Sequence, residues 1–135
     1  VDDFLIQSTN LRRSYHLSTY HPASPVLKPD QPWELEDGKP SFAMVFSDGV
    51  WFDPKDSRFK MWYMGGPRRA TCLATSEDGI RWQKPALDVE PGTNVVQTGW
   101  RDSSTVWLDH EAKDPAKRFK MFRSSPVPEG PKGIW

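Results

Sequence analysis

Residues able to contact a polar ligand occur at two places in the sequence. Asp48 lies between two short apolar runs, and Asp102 follows Arg101 directly. An arginine next to an aspartate keeps the carboxylate ionised, because the positive charge favours the charged form. Ser103 and Ser104 come next, and their small hydroxyl side chains leave room for a ligand. Each aspartate also has a structural interpretation, with Asp48 as a turn residue and Asp102 as half of an ordinary ion pair or Asx turn.

The tryptophans divide according to the sequence pattern around them. Four follow strand-like alternation and are predicted to pack between sheets: Trp51, Trp62, Trp82 and Trp107. Trp33 and Trp100 lie instead in predicted loops. Because loops on a rigid scaffold often carry binding residues, both rings are candidate platforms for stacking against a ligand.

Composition restricts the partners and the cofactors. The 135 residues carry 18 Lys and Arg against 18 Asp and Glu, so no net charge attracts nucleic acid or an anionic membrane. A mean hydropathy of −0.70 without a long apolar run predicts no membrane-spanning helix. The one cysteine permits neither an internal disulfide nor a cysteine-based zinc site, and His16 and His21 lack the spacing of a helical metal pair. We therefore predict no metal, no cofactor, no nucleic acid and no membrane partner.

An internal repeat predicts the architecture. The tetrapeptide Arg-Phe-Lys-Met occurs at residues 58–61 and again at 118–121, and Val-Trp occurs at 50–51 and 106–107. Each copy predicts a hairpin in which a short apolar strand, a polar turn and a second strand follow one another. The turn is longer in the second copy. Thirteen prolines and nine glycines also favour short strands joined by turns over long helices.

The first copy extends to four predicted antiparallel strands, at residues 50–52, 59–64, 70–75 and 80–82. In the second of these strands, alternation places Phe59, Met61 and Tyr63 on one face. An Asp-Gly dipeptide, which is typical of hairpin turns, precedes the short fourth strand. Four antiparallel strands in a repeated unit are the blade of a β-propeller. The sequence therefore predicts an all-β fold.

The repeat divides the chain into a lead-in segment at 1–41, a first blade at 42–90 and an incomplete second blade at 91–135. Residues 133–135 are predicted to begin the third strand of the second blade. Propellers close with about four to eight blades, and each blade buries its faces against its neighbours. We therefore expect the chain to be a segment of a larger propeller, with the remainder in the same or another polypeptide.

The first residues, Val-Asp-Asp, include neither an initiator Met nor an apolar leader. We expect that a leader has been removed or that the sequence begins internally. The compartment stays open, with a periplasmic or secreted location favoured.

The sequence resembles the five-bladed propeller glycosidases. The closest resemblance is to uncharacterised relatives of glycoside hydrolase family 32, which shares its fold with family 43. Four segments carry it: residues 48–54, 58–63, 76–82 and 101–107. The resemblance implies a five-bladed β-propeller that acts on a carbohydrate.

The resemblance also implies roles for the polar residues named above. Family 32 enzymes carry a nucleophilic Asp in the first blade, an Asp in an Arg-Asp-Pro motif in the second, and an acid/base Glu in the third. Asp48 is the nearest candidate for the first group. Arg101 and Asp102 match the second, although Ser103 stands where the motif has Pro. The Glu is expected on a third blade, which these residues do not include.

Three functions remain open at this stage. The first is a glycosidase that cleaves a glycosidic bond through axial carboxylates, with Arg101, Ser103, Trp33 and Trp100 binding the sugar. The second is a carbohydrate-binding or scaffold propeller without catalysis. Aligning the two Val-Trp pairs places Asp102 opposite Phe46 rather than Asp48, which favours this second function. The third is a short chain whose copies associate to complete a ring.

Overall fold

The computed structural model of the chain describes residues 4–125 and 133–134. Its regular elements are β-strands in antiparallel sheets and two 3-10 turns, at Pro32–Glu34 and Pro115–Lys117. The described part contains no helix of seven or more residues, and none that is long and apolar enough to cross a membrane. The all-β prediction is confirmed, and the arrangement is consistent with a β-propeller fragment.

A small hairpin and a larger sheet form first along the chain. Their strands are β1 (Leu35–Glu36), β2 (Lys39–Pro40), β3 (Ala43–Met44), β4 (Val50–Asp53), β5 (Arg58–Gly65), β6 (Ala70–Ser76) and β7 (Val95–Gln97). β1 pairs with β2, and the others form the first sheet, in the order β3, β5, β6, β7. β4 pairs with the first half of β5 and β3 with its end, so β3 and β4 together act as one interrupted edge strand. The first sheet is thus four strands wide.

The fourth strand of the first sheet lies elsewhere than predicted. Residues 80–82 form no strand, and β7 takes that place by pairing with β6. The cause is the turn before them, in which Asp78 Oδ1 accepts from the backbone N–H groups of Ile80 and Arg81 at 2.8 and 2.7 Å. Because a side chain already uses these donors, the segment cannot pair with β6 along its length. Gln83 alone bridges to Thr75.

The second sheet reproduces the repeated hairpin. It consists of β8 (Ser103–Leu108), β9 (Phe119–Ser125) and β10 (Gly133–Ile134), in the order β10, β9, β8. The longer turn between β8 and β9 contains the 3-10 turn Pro115–Lys117, capped by the Asp114 side chain. β10 pairs with β9, as predicted for a third strand, whereas Trp135 lies outside the described residues.

The two faces of β5 have different neighbours. Met61 and Tyr63 belong to a buried core with Cys72 and Val95, as the alternation predicted. Other members of that core or its rim are Ala70, Ala74, Leu27, Trp33, Ala43 and Trp82. Trp62 faces the other way, and its ring lies 5.0 Å from that of Phe119 on β9. The second sheet therefore packs on the face of the first sheet opposite its own core.

A buried ion pair joins the two sheets at the ends of their hairpins. Arg118 donates to both carboxylate oxygens of Asp53, at 2.7 and 3.1 Å, and Lys60 adds a third contact at 2.6 Å. The hydrogen bond from Arg118 is the main cause that lowers the pKa of Asp53 below its ordinary value. A bidentate arginine–carboxylate contact fixes the relative orientation of the two groups as well as pairing their charges.

Candidate functional site

The turn between β3 and β4 meets the beginning of β8, and this contact brings the candidate residues together. The backbone carbonyl of Asp48 accepts from Val106 N at 2.7 Å, and Ser47 Oγ donates to the carbonyl of Ser104 at 2.6 Å. Gly49 has a φ of +106°, and a Cβ there would lie 3.3 Å from the Val106 carbonyl oxygen. A glycine is therefore required for the turn to approach β8 so closely.

Asp48 and Arg101, 53 residues apart in sequence, form an ion pair whose side chains have no exposed surface. Arg101 Nη2 donates to Asp48 Oδ2 at 2.8 Å, and Ser104 Oγ donates to Asp48 Oδ1. The Nε and Nη1 atoms of Arg101 are buried without a hydrogen-bond partner among the described residues. Unpaired buried donors are destabilising, so a structural ion pair normally has a partner for each of its donors. The Asp48–Arg101 pair does not.

Asp102 differs from Asp48 in its surroundings. Its side chain is exposed, and its backbone N–H donates to the carbonyl of Ser124 at 3.0 Å. No hydrogen bond or ion pair of its carboxylate is found within residues 4–125. Ser103 beside it is half-buried. Of the two candidate carboxylates, Asp102 faces solvent and Asp48 is sealed between the sheets.

The two loop tryptophans also differ. Trp33 is half-buried against the core of the first sheet, and its Nε1 donates to Asn94 Oδ1 at 3.0 Å. Trp100 is 46% exposed, and the Arg69 guanidinium lies 5.2 Å from its ring centroid. Of the two, only Trp100 is exposed, and it immediately precedes Arg101 in the sequence.

Sequence reasoning did not single out Arg123, which belongs to this region. Its guanidinium donates to the carbonyls of Thr98, Gly99 and Trp100 at 3.2–3.4 Å. Burial, and then the neighbouring charge of Arg101, lower the pKa of Arg123. The repeat could have indicated it, because Arg123 aligns with Tyr63 of the first copy and a charged residue there breaks the apolar pattern of that strand face.

A groove of about 300 Å³ lies beside the buried pair. Most of its exposed lining surface is apolar, while five of its seven lining residues carry a hydroxyl group, with one aromatic ring and one guanidinium beside them: Ser47, Ser103, Ser104, Thr105, Ser124, Phe122 and Arg123. Hydroxyl and guanidinium groups offer hydrogen bonds to a polyhydroxylated ligand. Residues 4–125 contain no group of three or more His, Cys, Asp or Glu side chains that could hold a metal ion.

Comparison with known proteins gives one distant similarity. The chain is 27% identical over 93 residues to the sucrose-6-phosphate hydrolase of Escherichia coli. The match covers 64% of this chain but 18% of that protein, so the chain spans less than a fifth of the length of the relative. No protein-family model matches the chain, and no solved structure does. The similarity hints at a relationship of the family 32 kind, and neither of the other two comparisons adds to it.

Proposed function

We propose that the chain is part of a glycoside hydrolase-like β-propeller that acts on the glycosidic bond of a carbohydrate. The observation that carries the proposal is the meeting of Asp48 with Arg101 at the contact of the two sheets. It supports the expectation that residues far apart in sequence converge where neighbouring blades meet. The distant similarity to a sucrose-6-phosphate hydrolase supports the same reaction class.

The proposal gives the two carboxylates different tasks. Asp102, exposed beside Ser103, contacts the sugar. Asp48 has no exposed surface, which supports a positioning role in which it fixes Arg101 next to Asp102. Cleavage with an oxocarbenium-like transition state also needs a protonated acid at the leaving oxygen. We propose that this acid comes from a part of the propeller outside the present chain.

A carbohydrate-binding propeller without catalysis is the second candidate. The burial of Asp48 favours it, because a sealed carboxylate cannot attack an anomeric carbon in the arrangement described here. In that function Asp102 and Trp100 hold the sugar, and no bond is broken.

The test is Asp102→Asn in the full-length protein, assayed on sucrose and on p-nitrophenyl glycosides. Asp88→Asn is the control, because Asp88 is also exposed. We expect Asp102→Asn to lower kcat/KM by roughly 10–100-fold, because a charged hydrogen bond to the sugar worth about 1.5–3 kcal/mol is lost. Asp88→Asn should leave kcat/KM unchanged.

The remaining outcomes separate the two candidates. Sugar binding that Asp102→Asn weakens, in a wild-type protein that cleaves none of the substrates, would establish the binding function instead. Equal turnover by wild type and Asp102→Asn would remove this residue from the site.

A further inference from the structure

The second sheet covers a specific set of groups on the first sheet. Trp51 Nε1 donates to the carbonyl of Val106 at 2.6 Å, and Trp62 packs on Phe119. Asp53 receives the bidentate contact from Arg118. The second sheet thus supplies three groups to the first: Arg118 to the Asp53 carboxylate, Phe119 to the ring of Trp62, and one backbone carbonyl to the indole of Trp51.

The repeat places the same groups on the outward face of the second sheet, where nothing in the described part of the chain covers them. We call them the free face; they are Trp107, Asp109, Lys120 and Phe122, which correspond to Trp51, Asp53, Lys60 and Trp62. Trp107 pairs with Lys120 across the hairpin as Trp51 pairs with Lys60. Trp107 is 48% and Phe122 54% exposed.

The free face also repeats the local contacts of its counterpart. Lys120 forms an ion pair with Asp109, as Lys60 does with Asp53. The backbone N–H of Glu111 donates to Asp109 at 3.0 Å, as that of Lys55 does to Asp53. What Asp109 lacks is an arginine from a neighbouring sheet, since Arg118 belongs to Asp53.

We propose that the free face binds a third repeat of the same unit, which follows in the same polypeptide. The third repeat presents an Arg-Phe pair in which the arginine binds both oxygens of Asp109 and the aromatic ring packs on Phe122. A backbone carbonyl of its first strand accepts from Trp107 Nε1. Two exposed aromatic rings beside a carboxylate match this occupant in shape and in charge. The proposal rests on the repeat and does not depend on glycosidase activity.

The first test is protection of the free face in the full-length protein. Hydroxyl-radical footprinting with mass spectrometry reports the exposure of each tryptophan. We expect Trp107 to be as protected as Trp62 and at least several-fold more protected than Trp100, at all protein concentrations. Oxidation of Trp107 at the rate of Trp100 would overturn the proposal. Protection that is lost on dilution would overturn it too, because the occupant would then be a second copy of the chain.

The second test compares two matched variants of the full-length protein, Asp53→Asn and Asp109→Asn. Both replace by a neutral amide a carboxylate that accepts from one lysine and one backbone N–H, and the carboxylate of Asp53 also accepts from an arginine. We expect the two variants to lower Tm equally, because Asp109 has an arginine partner on the third repeat. A clearly smaller loss for Asp109→Asn would mean that this partner does not exist. Asp114→Asn, which keeps an oxygen that can cap the 3-10 turn and removes only an exposed ion pair with Lys117, is the control and should lower Tm least.

Discussion

Three carboxylates in the described part of the chain are fully buried, and two of them, Glu34 and Asp48, differ in how completely they are hydrogen-bonded. Glu34 accepts from Lys84 Nζ and from the Tyr63 hydroxyl, each at 2.6 Å. Two backbone N–H groups, of Asp30 and Gln31, complete its set at 2.9 and 3.0 Å. Asp48 has only two side-chain donors, Arg101 and Ser104, and Arg101 keeps two buried N–H groups unpaired.

The difference lies in the number of hydrogen bonds and not in burial, since both carboxylates are fully buried. The contacts of Glu34 hold the lead-in segment against the first sheet, and every donor around it has a partner. Its charge also acts on its neighbours: burial, and then the bond to Glu34, raise the pKa of Tyr63, and burial and the same charge raise the pKa of Cys72 to about 12. The Asp48 pair lies beside the groove and retains unused donors on Arg101, and its proposed role in a site rests on this contrast with Glu34.

Glu34→Gln disrupts the hydrogen bonds around Glu34, which we call the Glu34 network, and should cause the largest loss of stability. At the Oε2 position the NH₂ group of glutamine faces three N–H donors, and at the Oε1 position it faces the Tyr63 hydroxyl, which already accepts from Asn94 and would lose its own acceptor. Lys84, whose side chain is 7% exposed, also loses its buried anion. We expect a loss of about 3–5 kcal/mol in the free energy of unfolding, measured with urea. Glu36→Gln, at an exposed position, is the control, and an equal loss there would contradict this account of the network.

Asp48→Asn is the matched change at the incomplete pair and should cost less, about 2–3 kcal/mol. Asparagine can keep its oxygen toward Arg101 and donate its NH₂ group to Ser104, whose hydroxyl can turn to accept. The remaining cost comes from the buried, uncompensated charge of Arg101. Urea unfolding measures the loss.

The double variant Asp48→Asn, Arg101→Met sharpens this comparison. Since it removes both charges, it should be more stable than Asp48→Asn alone. If the loss in the free energy of unfolding of the double variant equalled the sum of the losses for Asp48→Asn and Arg101→Met alone, the two side chains would not interact.

The sequence predicted those parts of the fold in which local pattern and packing agree. Alternation in residues 59–64 identified β5 and its core face, because Met61 and Tyr63 pack on the same side. The prediction of a fourth strand at 80–82 was wrong, because the Asp78 side chain uses the backbone donors that such a strand would need. The local pattern favoured a hairpin there, and hydrogen bonds within the turn prevented it.

The candidate site was less predictable, since its geometry depends on contacts between the sheets. The sequence proposed both Asp48 and Arg101 but did not indicate that each is the partner of the other across 53 residues. It proposed Trp33 and Trp100 as equivalent loop residues, although only Trp33 packs on the core. Local sequence defines a loop, but it does not define which neighbouring element covers that loop.

Trp33→Phe should have the smallest effect of the changes in the Glu34 network, because it removes one hydrogen bond at the network's edge and part of one half-buried ring. Trp33 Nε1 donates to Asn94, which in turn donates to the Tyr63 hydroxyl at 2.6 Å. We expect a loss of about 1 kcal/mol, measured by urea unfolding, because a buried amide oxygen loses one donor. Trp100→Phe should change stability by less than about 0.5 kcal/mol, as at other exposed positions, while weakening binding of the sugars tested above. The reverse result would mean that Trp33 contacts the ligand and that Trp100 supports the fold.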